Sequence, residues 1–137
     1  MQKLVQDHGV SDRFQIDSSG TAGYHIGALP DARMIAAGDK RGIPMTSLAK
    51  KLIADHLSHR DLIIAMDREN LANIQRLSNG KTGNVQLLSD FLDQSWPRDV
   101  PDPYYGEDDG FEYVLDMLEA ACPAILKSSL ESNPKCN

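Results

Sequence analysis

Strands that alternate with helices predict an α/β fold built on a small parallel sheet. Three observations carry that prediction. Residues 62–66 (LIIAM) form a continuous apolar run with β-branched members, the pattern of a strand buried on both faces. Residues 68–77 follow with a helical pattern that Asp67 can open as N-cap, and residues 85–88 supply the next strand-like run. Residues 111–126 place Phe111, Val114, Leu115, Leu118, Cys122 and Ile125 on one helical face, suited to covering such a sheet.

The remaining elements follow in chain order. Leu4 and Val5 lie on a short helical stretch that Gly9 can stop, with a turn at Ser11-Asp12, so the chain opens inside an element. Residues 13–17 (RFQID) alternate and read as a strand. Residues 18–29 are a Gly-rich loop. Pro30 suits a first helical position, and residues 31–42 read as a helix ended by Gly42, with Pro44 beyond. Residues 43–54 are ambiguous, with a short helix expected through Leu57. Residues 78–83 form a turn cluster, and residues 90–109 a long acidic loop rich in Pro. Residues 1–127 are therefore expected to form one domain, and residues 128–137 a solvated, disordered tail.

Composition bounds the function. The chain has 137 residues, 41% of them hydrophobic, enough for one domain with one core. Asp plus Glu number 20 against 14 Lys plus Arg, for a net charge of −6, which argues against a nucleic-acid partner. No apolar run approaches the ~18 residues of a membrane span, and residues 1–10 lack the basic-then-apolar order of a signal peptide. A cytoplasmic protein is expected. Two cysteines, Cys122 and Cys136, are too few for a disulfide scaffold.

The most informative segment is residues 100–106, VPDPYYG. Asp102 stands between two prolines that stiffen its backbone, and two aromatic residues follow. A fixed carboxylate beside aromatic faces suits proton transfer to a flat, ring-bearing leaving group. Composition alone favours the plainer alternative, a Pro-Asp-Pro turn with two half-buried tyrosines. Gly20-Thr21-Ala22-Gly23 follows a strand pattern as phosphate-cradling loops do, but no helix or Lys comes after it, so a flexible loop is expected. Ser18 could support a site, though a plain loop hydroxyl is the better reading. His56 and His59 are spaced to share a helix face, but no further ligand completes a metal set; a solvated helix end is the better reading and no metal is expected. Cys122 lies on the apolar face of the last helix, with Ser128, not Arg, six positions on; Cys136 has no neighbours that would lower its pKa.

With VPDPYYG in view, the chain resembles the low-molecular-weight protein tyrosine phosphatases. The resemblance runs in order through Ser11-Asp12-Arg13-Phe14, Ile16-Asp17-Ser18, Thr21, Tyr24, Ile26-Gly27, Pro30-Asp31-Ala32-Arg33, Arg41-Gly42-Ile43-Pro44-Met45, Ala65-Met66-Asp67, Asn70-Leu71, and the closing segment from Asp102 to Gly106 with Phe111-Glu112. It spans nearly the whole chain. It implies a three-layer α/β domain with a four-stranded parallel sheet. A loop of pattern Cys-x5-Arg binds phosphate, its Cys attacks phosphorus, and an Asp protonates the tyrosine leaving group. It implies Asp102 as general acid, Tyr24, Tyr104 and Tyr105 flanking the phosphotyrosine ring, and Ser18 supporting the phosphate loop. It also implies phosphotyrosine-containing proteins as partners and no cofactor.

The departures weigh as much. No Cys-x5-Arg stands in these residues, and Met1 aligns inside the helix that follows that loop in the family. The first strand, central in the family's sheet, has no counterpart, so the chain is expected to be truncated at its N-terminus and inactive as written. Thr46-Ser47-Leu48-Ala49-Lys50-Lys51 also departs from the family pattern, which weakens a supporting bond near Ser47. A non-catalytic phosphatase-like binding fragment is the alternative. An arsenate reductase relative is disfavoured by the paired tyrosines and the absence of suitably placed extra cysteines.

Overall fold

A computed structural model describes residues 1–20, 27, 29–45, 48, 50–79, 84–102 and 108–132, with backbone alone for 108 and 109. In order these form helix α1 (Gln2–Asp7), a 3₁₀ turn (Ser11–Arg13), α2 (Ala32–Lys40), α3 (Ala54–His59), strand β1 (Ile63–Ala65), α4 (Arg68–Leu77), strand β2 (Val85–Leu87), a second 3₁₀ turn (Leu88–Phe91) and α5 (Asp108–Ser132).

β1 and β2 pair in parallel, Ile63 opposite Val85 and Ala65 opposite Leu87. Strand alternation sorts their side chains into two cores. Ile63 and Ala65 join Leu52, Leu57, Ile74, Leu87 and Val85 beneath α3 and α4. Leu62 and Ile64 face the opposite way, into a cluster of Leu88, Met117, Ala121 and Ile125 under α5. A third cluster, Ala37, Phe111 and Leu115 with Met34 and Met45, joins α2 to α5. The layers are thus α3 and α4, the sheet, and α5 with α1 and α2 beside it. The Asn84 side-chain amide donates to the carbonyls of Leu57 (3.2 Å) and Arg60 (2.7 Å), tying the end of α3 to the start of β2.

α4 begins and ends where the sequence predicts. Asp67 caps it, accepting the Asn70 N–H at 2.6 Å. α2 ends at Arg41, and Gly42 takes the left-handed conformation (φ 69°) that lets the chain leave the helix. Gly38 inside α2 is a matter of space, since a Cβ there would meet the Ile43 carbonyl oxygen at 2.7 Å. Arg41 clamps α2 to α5 through Glu112 (2.5 Å), Asp116 (2.9 Å) and Glu119 (3.3 Å), three carboxylates on one face of α5.

Several expectations are corrected. Residues 13–17 are not a strand: Arg13 closes the 3₁₀ turn, and Phe14 is extended (φ −130°, ψ 135°) but joins no ladder among the described residues. A strand is a pairing as well as a backbone shape. The Ile16 carbonyl takes the Gln2 side-chain amide instead (3.4 Å). Sheet-like pairing comes later, where Gly20 bridges Lys51 in parallel. Pro30 is not the first helical residue of α2, because Asp31 is the cap and accepts the Arg33 N–H at 2.8 Å. α5 continues through residues 128–132, where a tail was expected. Its last turns line a groove with His8, formed by Pro123, Leu126, Lys127, Leu130 and Glu131, and Leu126 is buried. Cys122 is half-buried on the flank of α5, while Met117, Ala121 and Ile125 hold the core row.

Candidate active site at the end of the parallel strands

In open α/β sheets ligands gather beyond the carboxyl ends of the strands. Here β1 leads through Met66 to Asp67 and the start of α4. The Val100 N–H donates to the Met66 carbonyl at 2.9 Å, docking the long loop against that end. In a parallel ladder alternate residues bond the same neighbour. Ile63 donates to Asn84 on the β2 side, so the Met66 carbonyl belongs to the opposite edge.

Asp102 is exposed, two residues beyond this anchor. The loop before it is fastened repeatedly. Trp96 stacks at a tilt on Tyr113, ring centroids 5.8 Å apart, and Arg98 pairs with Asp90 at 3.2 Å. Asp99 accepts the backbone N–H of Arg68 (2.9 Å) and grips its guanidinium through Nε (3.1 Å) and Nη2 (3.0 Å). These contacts are not visible in the local sequence, but one signal is there. Arg68 opens α4, where the helix dipole disfavours a cation, so an anion from elsewhere is called for.

The hydrogen bond from the Arg68 side chain, seconded by its backbone N–H, holds Asp99 below the usual carboxylate range. A carboxylate lowered in the fold adds stability above its unfolded pKa, and that stability is lost as pH falls through the folded value. The protein should therefore lose stability below about pH 4. Asp99→Asn should flatten that acid slope in denaturant titrations followed by circular dichroism; an unchanged slope would show that the pair contributes nothing.

Ser18 is exposed, two residues before the Gly20–Lys51 bridge. Beside it Asp17 pairs with Arg60 (2.6 Å) and Lys50 (3.5 Å), which secures the segment. Tyr24, Tyr104 and Tyr105 lie outside the described residues, as do Ser47, Cys136 and residues 21–23 of the Gly-rich loop. His56 and His59 sit on α3. The His56 ring accepts the Ile53 N–H at 3.5 Å, and the His59 ring donates to the Asp55 carbonyl at 2.7 Å. Among the described residues no three His, Cys, Asp or Glu side chains converge to hold a metal, and no helix is long and apolar enough to cross a membrane.

Fold and site together define a class: a small three-layer α/β domain with a carboxylate-bearing loop docked at the C-terminal end of its parallel strands. The sequence profile of the family described as low molecular weight phosphotyrosine protein phosphatase matches residues 1–135. The human low molecular weight phosphotyrosine protein phosphatase is 35% identical over 131 residues, 93% of this chain and 82% of the relative. The Schizosaccharomyces pombe protein of that name is 39% identical over 126 residues, 90% of this chain and 81% of the relative. A crystal structure of a protein tyrosine phosphatase from Entamoeba histolytica, with Hepes in its active site, superposes with a TM-score of 0.90 at 31% identity, covering 96% of this chain and 85% of that one. The chain belongs to the low molecular weight phosphotyrosine protein phosphatase family.

Proposed function

We propose that this chain carries the proton-donating half of a tyrosine phosphatase site, with Asp102 as general acid, and that the residues as written do not catalyse. The observation that supports this most is the placement of Asp102. It lies between two prolines, two residues beyond a hydrogen bond to the end of β1, in a DPYYG motif. Asp102 would give its proton to the phenolic oxygen as the P–O bond breaks. The resulting carboxylate would then take a proton from the water that attacks the phosphorylated cysteine. Tyr24, Tyr104 and Tyr105 would flank the ring of a phosphotyrosine-containing protein, and Ser18 would support the phosphate loop. Nothing in this scheme calls for a cofactor.

A second reading, a non-catalytic phosphatase-like binding fragment, is favoured by one observation: no Cys-x5-Arg stands among the 137 residues. Reading the nucleotides in frame upstream of the Met1 codon separates the two. Where they encode a strand followed by Cys-x5-Arg, the extended product should hydrolyse a phosphotyrosine peptide. Asp102→Ala should then lower its kcat by about 10²–10⁴-fold, the usual contribution of a general acid. An unchanged kcat would remove Asp102 from the mechanism, and a stop codon immediately upstream would favour the binding fragment.

A further inference from the structure

We infer that Asp99 and Arg68 are positioning residues for Asp102, forming a latch that holds the proton donor's segment against the C-terminal end of β1. This rests on the reading of Asp102 as that donor. Asp99 makes two kinds of contact with one residue, accepting the Arg68 backbone N–H at 2.9 Å and its guanidinium through a fork at 3.1 and 3.0 Å. A fork onto a carboxylate fixes orientation as well as distance. Val100, next in sequence, is pinned twice: its N–H donates to the Met66 carbonyl at 2.9 Å, and its side chain packs in the cluster with Leu62, Ile64 and Leu88.

Only Pro101 then separates the anchor from Asp102. Its ring restricts φ, and a proline after Asp102 biases the Asp102 backbone towards extended conformations. A stiff two-residue arm passes any shift at Asp99 directly to Asp102. The Arg68 side chain is 68% exposed, so the pair is not there to neutralise a buried charge. Its partners lie 31 positions apart, and what the pair joins is the junction of β1 with α4 to the approach to Asp102.

A plain helix cap would share the Asp99–Arg68 contact, and the two roles differ in what they move. The test uses the full chain, isotopically labelled, at about 10 °C, with native-state amide exchange and the Asp102 side-chain carboxyl resonance as readouts. In Asp99→Asn the Val100 amide should exchange about tenfold faster or more, the scale of losing a hydrogen bond to a charged group. The Asp102 carboxyl resonance should move as well, and the Val100 amide should speed up more than the amides of Ala121 and Ile125 in α5, which report the change in global stability. Arg68→Lys keeps the charge without the fork and should fall between parent and Asp99→Asn; it carries the test alone if Asp99→Asn fails to fold. Unchanged Val100 and Asp102 signals in both variants would overturn the latch. So would a change confined to the first-turn amides of α4, which is what a cap alone produces. No readout needs turnover, so a failure of Asp102 as donor, seen in kcat of Asp102→Ala in the extended product, is recorded separately from a failure of the latch.

Discussion

The 137 residues as written are expected to hydrolyse p-nitrophenyl phosphate no faster than buffer. Catalysis of this class depends on holding the phosphoryl group in line and stabilising its charge. Asp102 can donate a proton, but it can neither hold nor attack phosphate. Removing a covalent nucleophile alone costs on the order of a million-fold in acyl-transfer enzymes, and a missing anion cradle adds to that loss. Neither cysteine supplies a substitute. Cys122 sits half-buried on the flank of α5, with Pro123 after it and Ser128 where the motif needs Arg. The assay is a steady-state rate on protein purified to constant specific activity. A rate that survives purification and disappears in Asp102→Ala would sink the expectation. A rate that disappears in Cys122→Ser would mean that α5 hosts a nucleophile of its own.

What was legible in the sequence was local. α4 could be read to the residue because its signals are adjacent: Asp67 as cap, then a 3.6-residue apolar period. β1 was legible as an apolar run because it is covered on two faces, and β2 as an alternation, with Val85 and Leu87 turned into one core and Gln86 exposed. Residues 13–17 misled for the opposite reason. Their alternation is compatible with extended backbone, which Phe14 adopts, but pairing depends on a neighbour that no local pattern announces. Pro30 misled because two start signals stood side by side and the carboxylate of Asp31 won. At the candidate site, the motif around Asp102 was legible. Its anchoring was not, because the Asp99–Arg68 and Val100–Met66 contacts join segments that are distant in sequence.

The second large effect concerns stability: the isolated chain should show no sharp, cooperative, monomeric melt above about 45 °C, the lower end of the range for ordinary domains. Among the described residues its sheet has two strands of three residues each. β1 pairs with β2 on one edge, and on its other edge no strand pairs with Ile64 among the described residues. Backbone groups on an open edge next to an apolar core are costly to leave without partners, and they invite pairing with another chain. The surface agrees. Leu29, Leu48 and Ile53 are 59%, 50% and 46% exposed. A large apolar side chain left wholly in water forgoes roughly 1.5–3 kcal/mol; at about half exposure the three together forgo roughly 2–4 kcal/mol, a sizeable part of the ~5–15 kcal/mol net stability of a domain. Calorimetry with light scattering checks the expectation: a broad transition, or one that shifts with protein concentration as chains pair through the β1 edge. A concentration-independent, two-state melt of a monomer above that temperature would contradict it. Replacing Ile64 with Lys offers a control, since a charge on the open-edge strand should suppress association while weakening the α5 core that Ile64 packs against.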